Sequence, residues 1–109
     1  MKPNFETLEK LVNQWGEDKG ILPFPNPMAQ FAKTQEEVDE LNDAIKANDR
    51  EAVKDAIGDI MVTLIMQTGA WGLSASECLD AAYSEIRSRT GQMVDGIFVK
   101  DVEEEKAND

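Results

Sequence analysis

Histidine is absent from this 109-residue chain, which removes the Ser-His-Asp and Cys-His mechanisms and most histidine-based metal sites in one step. A single cysteine, Cys78, excludes an intrachain disulfide framework. Neither a signal peptide nor a long uncharged apolar run can be read, so a soluble protein of the reducing cytoplasm is expected. Positive charge is scarce too, with 11 Lys and Arg against 22 Asp and Glu and a net charge of −11. Such a field repels phosphate, so neither nucleic acid nor a membrane surface is an expected partner, and a phosphate ligand would have to arrive with metal ions. Nothing reads as a strand of any length. What is left for chemistry is the carboxylate.

The length fits one domain, small enough to lean on a partner subunit, and a homodimer or homotetramer is expected. Phe5, Leu8, Leu11, Val12 and Trp15 recur at helical spacing and predict an amphipathic helix to about Asp18, with Asn4 as N-cap and Gly20 ending it. GILPFPNP is too proline-rich for a helix. Asn26 and Pro27 then suit N-cap and N1 of a second helix running to about Ala47. Asn48 and Asp49 supply a turn and the next cap, and so short a connection predicts antiparallel packing with a third helix, about Arg50 to Thr68. Ser74 with Glu77 forms a capping box that opens a fourth helix, to about Arg89. TGQMVDGIFVKD carries turn glycines around a short extended piece, and residues 101–109 read as an acidic, disordered tail.

Two pairs of acids stand out against this frame. At about 100° of turn per residue, Glu37 falls inside the apolar arc of Val38, Leu41, Ala44 and Ile45, and Glu40 on its edge, while Asp39 and Asp43 lie opposite. Helix three carries Ile57, Ile60, Met61, Val62, Leu64, Ile65 and Met66 in nearly every direction, which predicts an interior helix and burial of its Asp55 and Asp59. Gly58, costly inside a helix, suggests close approach of a neighbour. Two facing helices each offering two inward acids have the geometry for hard cations, Mg²⁺ above all. Two plainer readings stand beside this one. Thr34-Gln35-Glu36-Glu37 has the form of a capping box starting a fresh helix, and Asp59 has Arg50, Lys54 and Lys33 as candidate partners in a buried salt bridge. Trp15 is either core packing or a platform for a base. Arg87, Arg89 and Lys100 are either surface charges or, clustered as they are in so acidic a chain, phosphate contacts.

The chain resembles the MazG-like branch of the all-α NTP pyrophosphohydrolases, whose pattern is EExxE on one helix and ExxD on the next. The first half stands here as Glu36-Glu37-Val38-Asp39-Glu40. The second reads Ala56-Ile57-Gly58-Asp59, keeping the Asp and replacing the Glu by Ala56. LVNQWGEDKGIL and EIRSRTGQMVDGIFVKD continue the likeness, which makes residues 1–100 the implied domain. The resemblance implies an all-α, four-helix-bundle-like homo-oligomer that hydrolyses a nucleoside triphosphate to the monophosphate and pyrophosphate with Mg²⁺, Mn²⁺ being the substitute ion. It implies Glu37, Glu40 and Asp59 as metal ligands; Asp55 does not match the pattern but, one turn before Asp59, is the neighbour that could supply the fourth carboxylate. Glu36 or Glu37 would take the proton of the attacking water. Lys33, Trp15, Arg87, Arg89 and Lys100 would contact substrate. The rival expectation is a non-catalytic nucleotide-binding or regulatory relative that lost turnover with the change at Ala56. A di-iron carboxylate bundle needs Glu-x-x-His motifs that this chain cannot supply.

Overall fold

The computed structural model describes residues 2–102. Its helices begin where side chains satisfy the free backbone N–H groups of a first turn. Asn4 accepts from the Thr7 amide (2.8 Å) and opens α1, Phe5–Asp18. Asn26 accepts from Ala29 (3.1 Å) and, with Pro27 at N1, opens α2, Pro27–Lys46. After Asn48 turns the chain at φ 53°, Asp49 accepts from Ala52 (3.1 Å) and opens α3, Arg50–Ala70. Ser74 and Glu77 form the reciprocal capping box at the start of α4, Ala75–Ile86, each side-chain oxygen accepting from the other residue's amide (2.7 and 3.1 Å). No break occurs at Thr34, so the capping-box reading of Thr34–Glu37 is set aside. The Thr34 hydroxyl lies instead within bonding reach of the Gln30 carbonyl (3.1 Å) and the Thr63 hydroxyl (2.9 Å).

Two compact units divide the chain, Met1–Cys78 and Leu79–Asp109. In the first, α1 and α2 both pack on α3. Helices α2 and α3 are antiparallel: Thr34 meets Thr63, and Gln67 farther along α3 reaches back to the Pro27 carbonyl at the start of α2 (3.0 Å). The buried apolar residues are Ala44, Ala56, Ile65 and Met66. Helix α1 closes on α3 through Gly16, where a Cβ would collide with the Met66 thioether, and its C-terminal turn presses Leu22 against Gly69.

Three expectations about burial are corrected. Helix α3 is not interior on every side: α1 and α2 pack on it, yet Ile57, Met61 and Leu64 are exposed, and so are Asp55 and Asp59. Nothing stands within 4 Å of the Cβ position at Gly58, so Gly16 and Gly69 are the points of close approach. On α1 the buried residues are Glu9 and Gly16, whereas the stripe of Phe5, Leu8, Leu11 and Trp15 is about half exposed.

The second unit holds most of α4 and a feature absent from an all-α expectation, a hairpin of β1, Gly91–Val94, and β2, Ile97–Lys100. The strands pair antiparallel from Gly91 opposite Lys100 to Val94 opposite Ile97. Asp95 and Gly96 turn between them at φ 50° and 82°, the pair of positive φ values that a two-residue hairpin turn demands. Thr90 and Asp101 continue the pairing, the Asp101 amide donating to the Thr90 carbonyl (2.9 Å) and the Thr90 hydroxyl to the Asp101 carboxylate (2.7 Å). Asp101 therefore closes the hairpin, and the rest of the expected tail, 103–109, lies outside the described residues. No single described helix is long and apolar enough to cross a membrane.

Candidate functional site

Glu37 sits at the centre of the face that α2 turns to α3, and only 7% of it is exposed. Its neighbours on that face are Thr34 one turn before, Leu41 one turn after and Ala44 beyond, which is why the helix period carries the acid inward. One of its oxygens, Oε2, is buried with no hydrogen-bond partner. Leaving a buried carboxylate oxygen without a partner is costly, by up to several kcal/mol, unless a cation or donor completes it.

Antiparallel packing brings three acids together. Among the described residues, Glu37, Glu40 and Asp59 each offer one oxygen within 4.8 Å of the others. Glu37 is the buried member, and Glu40 and Asp59 are exposed. Glu37, Glu40 and Asp59 would hold one divalent cation by oxygen once their side chains draw together around it. The donor chemistry and the orphaned Glu37 Oε2 both fit a hard divalent cation. Crowding of like charge already shows in Glu40, whose carboxyl is pushed above its ordinary value. The first cause is Glu37, with which it can share a hydrogen bond when protonated and whose charge it faces. Burial and the Asp59 charge add to this, and the nearby Lys33 opposes it.

Lys33 carries two ion pairs, to Glu37 (3.3 Å) and to Glu36 (3.5 Å). Its ammonium is held above its ordinary value, first by the hydrogen bond to Glu37 and then by Glu36. Asp59 is in no ion pair among the described residues, so the buried salt bridge to Arg50, Lys54 or Lys33 does not form there. Glu36 points to Lys33 and solvent, with about two thirds of its side chain exposed (65%).

Asp55 is not brought into the acid group. Ala56, where the resemblance expects a glutamate, lies two turns before Thr63 and therefore on the same side of α3. Thr63 bonds α2, and Ala56 is itself buried at 4% exposure, so the missing carboxylate would have faced Glu37 and Glu40. Trp15 belongs to the half-exposed stripe of α1. Arg89 and Lys100 line a cleft of about 880 Å³ in the second unit together with Ser84, Ser88, Thr90 and Asp101, and Arg87 is not part of its wall.

A second buried acid escapes sequence reasoning altogether. Glu9, 5% exposed, accepts hydrogen bonds from the Ala75 amide (2.6 Å), the Ser76 amide (3.2 Å) and the Ser76 hydroxyl (2.7 Å). Its carboxyl is held below its ordinary value, chiefly by the Ser76 hydroxyl bond, against the opposing pull of burial. The acid thus fastens α1 to the positive N-terminal end of α4. The only sequence hint is that Glu9 lies one turn from both Phe5 and Val12.

These features define a class: a mostly helical domain whose antiparallel pair converges carboxylates suited to a divalent cation. A family model described as the MazG nucleotide pyrophosphohydrolase domain matches residues 26–93, from the cap of α2 into β1. The chain belongs to that family. It is also similar to an uncharacterised 18.2 kDa protein in the rep-hol intergenic region of Haemophilus phage HP1 (strain HP1c1), at 33% identity over 63 residues, 58% of this chain and 39% of the phage protein. The chain thus spans about two fifths (39%) of the length of that curated relative. No solved structure matches.

Proposed function

We propose that this chain is a Mg²⁺-dependent nucleoside triphosphate pyrophosphohydrolase, Mn²⁺ being the substitute ion, that converts an NTP or dNTP to the monophosphate and pyrophosphate. Residues 1–100 form the working domain, and the enzyme acts in the cytoplasm as a homodimer or homotetramer. The observation that carries the reading is Glu37: a buried carboxylate with an unpartnered oxygen, in reach of Glu40 and Asp59, inside a chain of the MazG nucleotide pyrophosphohydrolase domain family.

Glu37, Glu40 and Asp59 would hold the ion. When bound, the ion supplies charge neutralisation for the phosphates and acidifies water for attack. Glu36, solvent-facing and adjacent to the cluster, would accept the proton of that water, with Glu37 as the other candidate. Arg87, Arg89 and Lys100 would offer counter-charge to phosphate, and Trp15 a surface for the base. Support for assembly comes from the apolar surface a single chain leaves open. Phe5, Leu8, Leu11 and Trp15 on α1 and Ile57, Met61 and Leu64 on α3 are exposed, and no described residue from Leu79 onward is buried. A two-stranded hairpin with no buried residue is marginal by itself.

Ala56 favours a second reading, a nucleotide-binding relative without turnover, because the fourth carboxylate of the family pattern is missing at a buried position. An assay of pyrophosphate release with Mg²⁺, over standard and damaged nucleoside triphosphates, separates the two. Release that vanishes in Asp59→Asn is expected. A folded, oligomeric sample that binds nucleotide and releases pyrophosphate from none of them would overturn the enzyme reading in favour of the second.

A further inference from the structure

The cation that neutralises Glu37 in this structure belongs to the chain itself. Lys33 and Glu37 are four residues apart on α2, a spacing that on an exposed helix gives an ordinary pair of small worth. Two observations set this pair apart. The favourable order for such pairs is acid first and base second, and here the lysine comes first, so helix geometry alone does not recommend it. The acid is also far from ordinary, because its side chain is 10% exposed whereas that of Lys33 is 53% exposed. A buried carboxylate is paired with an exposed ammonium. Among the described residues, Lys33 is the only lysine or arginine in an ion pair with Glu37, Glu40 or Asp59.

We propose that Lys33 is a built-in counter-cation of the acid cluster, holding Glu37 in the metal-free chain and competing with the divalent ion for it. This rests on the metal site proposed above and adds a role for a residue outside the ligand set. An ammonium 3.3 Å from a ligand carboxylate stands only a few ångströms from any cation that carboxylate binds. At about 6 Å, repulsion between one and two positive charges in a water-like medium amounts to about a tenfold loss of affinity. The flexible, solvent-facing stem of Lys33 lets the ammonium yield Glu37 to the ion while staying beside the site. An anionic phosphate arriving with the metal is then its natural partner. The pair thus prevents a stranded buried charge before loading and sets a ceiling on how tightly the metal is held.

The test is calorimetric titration with Mn²⁺ at pH 8 on the full chain and on Lys33→Met, Lys33→Gln and Lys33→Arg, together with the metal-free melting temperature of each. Lys33→Met and Lys33→Gln should bind Mn²⁺ about tenfold more tightly than the wild type while melting lower without metal. Lys33→Arg, which keeps the charge, should bind as the wild type does. Neutral variants that bind equally or more weakly, in a wild type that does bind, would overturn the role of Lys33 and leave the metal site standing. No Mn²⁺ binding by any of the four would overturn the metal site and this proposal with it.

Discussion

Glu9→Gln and Glu9→Ala test the clamp between α1 and α4. The carboxylate accepts three hydrogen bonds, at 2.6, 3.2 and 2.7 Å, from Ala75 and Ser76. A hydrogen bond to a charged group contributes about 1.5–3 kcal/mol, and the helix N-terminus adds a favourable field of about 0.3–1 kcal/mol. Part of that is offset by removing the carboxylate from water, and the donors on exposed Ser76 turn to solvent when the acceptor goes. The net cost of Glu9→Ala is therefore about 2 kcal/mol, and that of Glu9→Gln, which keeps an acceptor of the same shape, about 1 kcal/mol. For a domain of this size those losses lower the melting temperature by about 10 and 5 °C. The pH profile is the sharper assay. The folded carboxyl lies below its ordinary value of 4.5, so its stabilisation is fully present above about pH 4.5 and disappears as pH falls through the lower folded value. Melting curves of wild type and Glu9→Gln should thus run parallel from pH 7 to 5 and converge below that. Equal stability at pH 7, or a gap that persists undiminished at pH 3, would refute the clamp.

Asp59→Asn removes one of three cluster charges. Because Asp59 is exposed, the metal-free chain should melt within a degree or two of wild type, while calorimetry should show Mg²⁺ affinity falling by more than about tenfold. The same change should lower the Glu40 carboxyl toward its ordinary value, followed by NMR titration, since the Asp59 charge is one of the causes that raise it. Ala56→Glu restores the family glutamate at a position now 4% exposed. Without metal it should destabilise by about 3 kcal/mol or more, a buried carboxylate among like charges. Millimolar Mg²⁺ should recover much of that loss, and a melting temperature indifferent to Mg²⁺ would show that residue 56 does not face the cluster.

The parts of this fold written in local contacts could be read from the sequence. The caps Asn4, Asn26 and Asp49 and the Ser74–Glu77 box each act on a backbone N–H two or three residues away, so residue type and spacing determine them. The Asp95-Gly96 turn is equally local, yet its strands have four residues each, too few for alternation to stand out. Which face an element buries depends on which neighbour arrives. On α1 the apolar stripe is real, but α3 meets the adjacent face, where Gly16 permits the close approach that Trp15 would block. Glu37 was identifiable because an acid interrupted an apolar arc. Asp55 stays outside the acid group because it lies one residue, about 100° of turn, from the side that Ala56 and Thr63 direct at α2.

The expected burial of Asp59 fails for a reason that bears on function. Helix α1 meets α3 at Met66 and Gly69, near the C-terminal end of α3, while Asp59 lies about two turns earlier. Helix α2 packs on α3, and Asp59 is exposed on that helix. A fully buried acid cluster would be a structural ion site, closed to anything larger than the ion. One buried carboxylate and two exposed ones would make a different object: in the proposed site Glu37 would fix the ion's position, and Glu40 and Asp59 would leave room for ligands that the protein does not supply. Mg²⁺ binds in this manner, keeping water and substrate phosphates among its ligands. On the proposed function, the exposure of Glu40 and Asp59 is what would let a triphosphate reach the acids.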